Sequence, residues 1–336
     1  MKNTATLALL LLNFCAATAL QAQTKTGIHL LNTHKVSGSD KWDYLLAEHS
    51  LNRLYIAHGT QVNILNAMTG DSVGVIANTP GVHGIAIVPA LKKGYTSNGR
   101  TGECTVFNVN TNAVLKTIKV GDNPDAIFYD DFSKKVFVFN GHSLNVSVID
   151  PVKDQVIATI PLGGKPETGV SDGKGNIYVN IEDKNEIVNF DATTFKVKKR
   201  FKLEGAEEPS GLAIDRVTSR LFIGCSNKVL LVLDANTGKK ISSLPIGEGS
   251  DGVAFDPQLK LIYSSNGEGT LTVIKEVSNN QYTVLENIKT AKGARTLALD
   301  YSNHHIFLPT ADLKPGEGNK RPVHIPGTFR VLTFGK

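Results

Sequence analysis

Seven polar residues recur along the chain at nearly constant intervals: Asp43, His83, Asp125, Glu167, Ser210, Asp251 and Arg295, separated by 40, 42, 42, 43, 41 and 44 residues. A period near forty belongs to a structural repeat rather than to one helix or hairpin. A closed repeat would bring all seven side chains around one axis. Carboxylates crowded at a mouth repel, which raises some of their pKa values unless a cation, a proton or Arg295 compensates. That cost marks the ring as a candidate functional site; the plain alternative is a solvated polar rim. Oxygen donors with one imidazole, here Asp125, Glu167, Asp251 and His83, suit Ca²⁺, Mg²⁺, Mn²⁺ or Zn²⁺. Such an ion would act as a Lewis acid on a lactone or ester, with a carboxylate or His83 as base. Arg295 and Arg100 suit instead a small polar ligand carrying a carboxylate.

A second polar set lies near the ends of neighbouring segments: His58, Asn98, Arg100, Asn140, His142, Glu182 and Glu268. In antiparallel pairing the end of one strand lies beside the start of the previous one, so this layer is expected to surround the same mouth.

The elements that must position these residues are strands. Tetrapeptides led by an aromatic (YIAH, YTSN, FVFN, YVNI, FIGC, YSSN and FLPT, starting at 55, 95, 137, 178, 222, 263 and 307) are spaced by 40–44 residues. About twelve residues before each lies a short apolar run such as AIFY, and two more follow it. The unit is therefore four short strands rich in Val, Ile, Phe and Tyr, the composition of antiparallel blades. Asn66, Asn108, Asp150, Asp191 and Asp234 open the turn between third and fourth strands, where their side chains can hold backbone N–H groups. Small residues follow six of the seven mouth positions (Gly84, Ala126, Thr168, Gly211, Gly252 and Thr296), as converging inner strands require; Tyr44 breaks the rule. The pattern predicts an all-β, seven-bladed propeller. The last unit lacks a fourth strand, and IHLLNTHKV at 28–36 stands unassigned ahead of the first, so the N-terminal strand is expected to complete the last blade. The insertion at 311–327, rich in Pro and Gly, reads as irregular, either a flap over the channel or a spacer.

The aromatic-led tetrapeptides, with stretches such as TPGVHGIA, NPDAI, GGKPE, EEPSGLAID and GARTLALD, resemble the YVTN-repeat β-propellers, the secreted YncE-like group. The resemblance spans almost all of the chain after its leader and implies the propeller fold; it implies no particular activity. No copy reads YVTN literally, and the sixth unit has KEVSNN in place of the short Asn or Asp turn.

Residues 1–22 carry one Lys, an apolar stretch and small residues, the form of a cleavable signal peptide. The expected product is residues 23–336, one propeller, monomeric, with no transmembrane segment, in the periplasm or secreted. Its net charge is a mild excess, +5 for the whole chain. The basic run KVKKRFK at 196–202 has no aromatic platform beside it, so a nucleic-acid partner is not expected. Cys104 and Cys225 lie in different repeats and are not expected to pair; no CxxC exists for haem or a zinc ribbon. GEGSDG at 247–252 matches a dinucleotide-binding pattern but has no helix after it and reads as a loop. One Trp and no vicinal cysteines disfavour a quinone-dependent dehydrogenase. Three function classes remain: a propeller binding a small polar ligand or divalent metal at its mouth, a metal-dependent lactonase- or lyase-like enzyme at the same place, and a scaffold for a protein partner.

Overall fold

A computed structural model describes residues 25–38, 41–316 and 322–336; the proposed leader lies outside them. Seven four-stranded antiparallel sheets form the blades of a β-propeller. Blade three shows the plan, with strands Pro124–Asp130, Lys135–Asn140, Asn145–Asp150 and Gln155–Pro161 paired in sequence order. Its second and third strands are covered on both faces by neighbouring blades, while its fourth lies half in solvent. This is why the middle strands are continuous apolar runs rather than alternating ones.

The aromatic that leads each second strand (Tyr55, Tyr95, Phe137, Tyr178, Phe222, Tyr263 and Phe307) is buried. Between blades three and four, Phe137 meets Phe190 at 5.6 Å between ring centroids, inside one apolar cluster with Phe139, Val148 and Ile177. The turn residues act as expected. Asn66, Asn108, Asp150, Asp191 and Asp234 each accept two backbone N–H groups from the residues two and three further on. Blade six dispenses with this turn and lengthens its outer strands, Thr270–Ser278 and Gln281–Lys289, to nine residues each.

The ring closes through its termini. Strand His29–Lys35 pairs antiparallel with Arg330–Gly335 and becomes the outermost strand of blade seven, ahead of His305–Thr310 and Ala298–Asp300. Most of this strand faces solvent; Ile28 and Val36 at its two ends are the buried anchors. The described residues of the insertion at 311–327 are mostly irregular, as expected, with one exception. Leu313–Lys314 and Val323–His324 pair as a short two-stranded ladder, and the His324 ring lies 4.3 Å from Trp42.

The basic run forms an outer strand, Val197–Lys202, facing solvent. Its Lys198, Arg200 and Lys202 pair with Asp191 and Glu186 of its own blade. Cys104 and Cys225 are both buried and unpaired. Burial pushes the Cys225 thiol up to about 12 and Cys104 higher still. Among the described residues, no helix is long and apolar enough to cross a membrane.

Candidate functional site at the channel mouth

The first strands of the blades run along the axis, so residues at equal register gather at one level. Close approach is enforced by the small residue after each mouth position. A Cβ on Gly84 would stand 3.3 Å from the Asp125 carbonyl oxygen, and one on Gly252 2.9 Å from the Leu297 nitrogen. The seven mouth residues all line one cavity of about 410 Å³, together with Tyr44, Lys165, Glu182 and Glu208.

Three clusters divide the ring. In the first, His83 Nδ1 lies 2.5 Å from Asp43 Oδ2 and 3.7 Å from Asp125 Oδ1. Donor atoms of these three side chains all fall within 4.8 Å of one another. In the second, Lys165 pairs with Glu167 at 2.8 Å and also with Glu182. In the third, Arg295 reaches Asp251 at 2.8 Å and Asp43 at 3.8 Å, while Ser210 donates to Asp251. The expected metal quartet is thus rearranged: Asp125 and His83 come together with Asp43, whereas Glu167 and Asp251 each sit against a cation of the protein.

The electrostatics follow from this division. Burial and then repulsion from Asp43 push the Asp125 carboxyl up to about 7, His83 pulling the other way. Burial and the Asp125 charge push Glu167 up to about 9; Lys165, shared with Glu182, does not offset them. Burial also raises Asp251, with Arg295 opposing. His83 loses basicity to burial but recovers more from the Asp43 hydrogen bond and the Asp125 charge, so its pKa rises. Six carboxylates face two fixed cations and one histidine here, an excess of acid that, with burial, raises the carboxyl pKa values.

Tyr44 forms the floor. From blade one its hydroxyl reaches across the axis to within 3.4 Å of Thr168 Oγ1 in blade four. Its ring packs against the cluster between blades three and four. Burial and the four carboxylates above it keep the phenol protonated. Sequence reasoning noted Tyr44 only as an exception to the small-residue rule; that exception was the signal. Lys165, two residues before Glu167 in GGKPE, was also missed.

The second layer does not converge as expected. Asn98 and Asn140 turn into their own blades, where Asn98 Nδ2 donates to Thr105 at 2.8 Å and Asn140 Nδ2 to Ser147 at 2.9 Å. His58 is buried against Phe329, its Nδ1 2.9 Å from Asn63 Oδ1. His142 and Glu268 are exposed outside the mouth lining, and Glu268 accepts from Thr270. Glu182 alone joins the mouth. Arg100 lies beside it, in a groove of about 730 Å³ bounded by Trp42, Asp43, His83, Arg295 and His324. Pro322, Val323 and His324 therefore form part of one wall of a groove that adjoins the mouth.

Comparison with known proteins adds the fold and stops there. No family model and no curated protein sequence matches the chain. Among solved structures it is similar to a chain of hydrazine synthase from Kuenenia stuttgartiensis, with 15% identity over 83% of this chain and 95% of that one and a TM-score of 0.72. It is also similar to a chain in the crystal structure of a mitotic checkpoint complex, with 16% identity, 99% of both chains covered and a TM-score of 0.75. At such identities the likeness is one of fold, the seven-bladed propeller.

Proposed function

We propose that this chain is an exported propeller of the YVTN-repeat, YncE-like kind whose channel mouth binds a divalent cation on Asp43, His83 and Asp125. What carries the reading is the convergence of two carboxylates and one imidazole, with donor atoms within 4.8 Å of each other, in a cavity with an excess of acids. The ion would lie between the His83 ring nitrogen and the carboxylates of Asp43 and Asp125. It would also relieve the repulsion that raises Asp125. Three protein donors leave coordination positions open, as in sites that keep water or take a donor atom from a ligand. The mixed oxygen and nitrogen set favours Mn²⁺ or Zn²⁺ over Ca²⁺, which takes six to eight oxygens. The remaining mouth, with Lys165 and Arg295 in its walls, the latter 3.8 Å from Asp43, would accommodate a small polar molecule bound through such an ion.

The test is calorimetric titration of Mn²⁺, Zn²⁺, Ca²⁺ and Mg²⁺ into the metal-stripped protein, with thermal shift in parallel. Saturable binding of one ion per chain is expected, with a rise in Tm by mass action. Asp43→Asn combined with Asp125→Asn should remove both. No heat and no shift with any of the four ions would overturn the reading.

A further inference from the structure

Below Tyr44 the channel changes character. Two overlapping cavities, of about 420 and 600 Å³, share Leu46, Phe128, Gly169, Val170, Leu212 and Tyr301 and so form one chamber. Its walls are the first strands of the blades. Leu46, Phe128, Val170, Leu212, Val253 and Leu297 come from six different blades, and Ile85 adds the seventh. Tyr44 lines the acidic mouth on one side and this chamber on the other. Val217, 81% exposed, Pro257 and the half-exposed Tyr301 also line the chamber, beside Asp215 and Arg216.

The charged groups that border the chamber are already engaged. Asp215 accepts from the Val217 N–H and from Thr218, and pairs with Lys260 at 3.3 Å. Arg216 donates to the Ser171 carbonyl oxygen at 2.9 Å and pairs with Asp131 at 3.1 Å. Ser171 gives its hydroxyl proton to Asp130 at 2.5 Å, and Glu48 accepts from Ser50. With Asp215 and Arg216 neutralised by partners within the protein, the chamber offers an ionic ligand little. A neutral one would find aliphatic and aromatic walls, the phenols of Tyr129 and Tyr301, and the backbone groups of strands that are edges of their sheets. Cavities of about 300–1,000 Å³ with apolar walls and few polar groups are the usual form of small-molecule sites.

We propose that this chamber is a second binding site, for an uncharged, largely apolar small molecule, separated from the acidic mouth by Tyr44. Nothing in the proposed cation site is needed for it, and the two can be tested apart.

The probe is N-phenyl-1-naphthylamine, a neutral apolar fluorophore, titrated into the full protein after its leader. Saturable binding of one dye per chain with blue-shifted emission is expected. Leu297→Trp and Val170→Trp fill the chamber from different blades and should each weaken binding by at least about tenfold, through loss of buried apolar contact. Asp43→Asn with Asp125→Asn should leave it unchanged, whether or not the mouth binds an ion. Because a filled variant can fail to fold, a neutral diazirine analogue is also photolysed with the unmodified protein and the labelled peptides identified by mass spectrometry. Label on the first strands, within 44–48, 126–130, 168–171, 209–215, 252–256 and 296–300, supports the site. Non-saturating dye uptake, label confined to outer strands, or folded Trp variants that bind like the parent would overturn it.

Discussion

Replacing Asp125 by Asn together with Glu167 by Gln should reshape how stability depends on pH. Both carboxyls are raised in the folded protein, to about 7 and about 9. The folded state therefore holds protons that the unfolded chain releases near pH 4. Stability from this source is present in full below pH 4 and is lost as pH rises through 7 and on towards 9. Each tenfold change in proton affinity is worth about 1.4 kcal/mol, so Asp125 alone accounts for a penalty on the order of 4 kcal/mol at alkaline pH. The two acids raise each other, so their penalties overlap and are not summed. Asn and Gln mimic the protonated acids and escape the penalty. At pH 4 parent and variant should melt together. At pH 9, without divalent cations, the variant should melt roughly 10 °C higher, taking about 2–4 °C per kcal/mol for a large domain. Calorimetry in chelator-treated buffers between these limits gives the difference curve, which cancels groups common to both proteins. Parallel curves with no divergence between pH 4 and 9 would refute the reasoning, because the mouth would then be solvated well enough to hold its charges.

Other outcomes follow from the same structure. Removing residues up to Val36 should cost about 3–6 kcal/mol, the burial worth of Ile28 and Val36, against little change for a trim ending at Lys25; equal melting of the two truncations would show that the ring closes without this strand. Cys104 and Cys225, both buried with raised pKa values, should resist a thiol reagent in native buffer and react together in denaturant, a fast native phase being the contrary result. Tyr44→Ala should open the mouth to the chamber below it and let a neutral dye reach the axis from either end, seen as faster dye association than in the parent; unchanged rates would mean that Tyr44 does not divide the channel.

The blades and their closure were legible because each repeat carries its own turn chemistry. An Asn or Asp at one phase and an aromatic at another fix both period and register, and seven copies make the reading redundant. The mouth was legible for the same reason, since a residue's place in the repeat sets its level on the axis. The second layer failed on parity. Asn98 pairs with Val82 and Asn140 with Pro124, the residues just before His83 and Asp125. Directly paired residues share a face and successive ones alternate. The two asparagines therefore point away from the mouth, although their backbones end beside it. The four expected metal donors divide because Lys165, two residues before Glu167, claims that acid; one other copy has a lysine at this place, Lys41 before Asp43, so the repeat pattern alone did not single Lys165 out. Tyr44 was legible only as a missing small residue; that its ring spans the axis depends on Thr168, three blades away.

The pairing of His29–Lys35 with Arg330–Gly335 also sets an order in time. The two strands lie about three hundred residues apart, so this ladder is the most expensive contact in loop entropy and cannot form until the last residues have been made. Until then the growing chain carries an open sheet edge at the unfinished blade and an unclaimed strand at its start. Both are templates for pairing with another chain. Synthesis is then a race between intramolecular closure and strand exchange between neighbours. The same seam, lying at the outer rim with most of its first strand in solvent, should be where native hydrogen exchange is fastest among the outer strands, and where the ring first opens on unfolding.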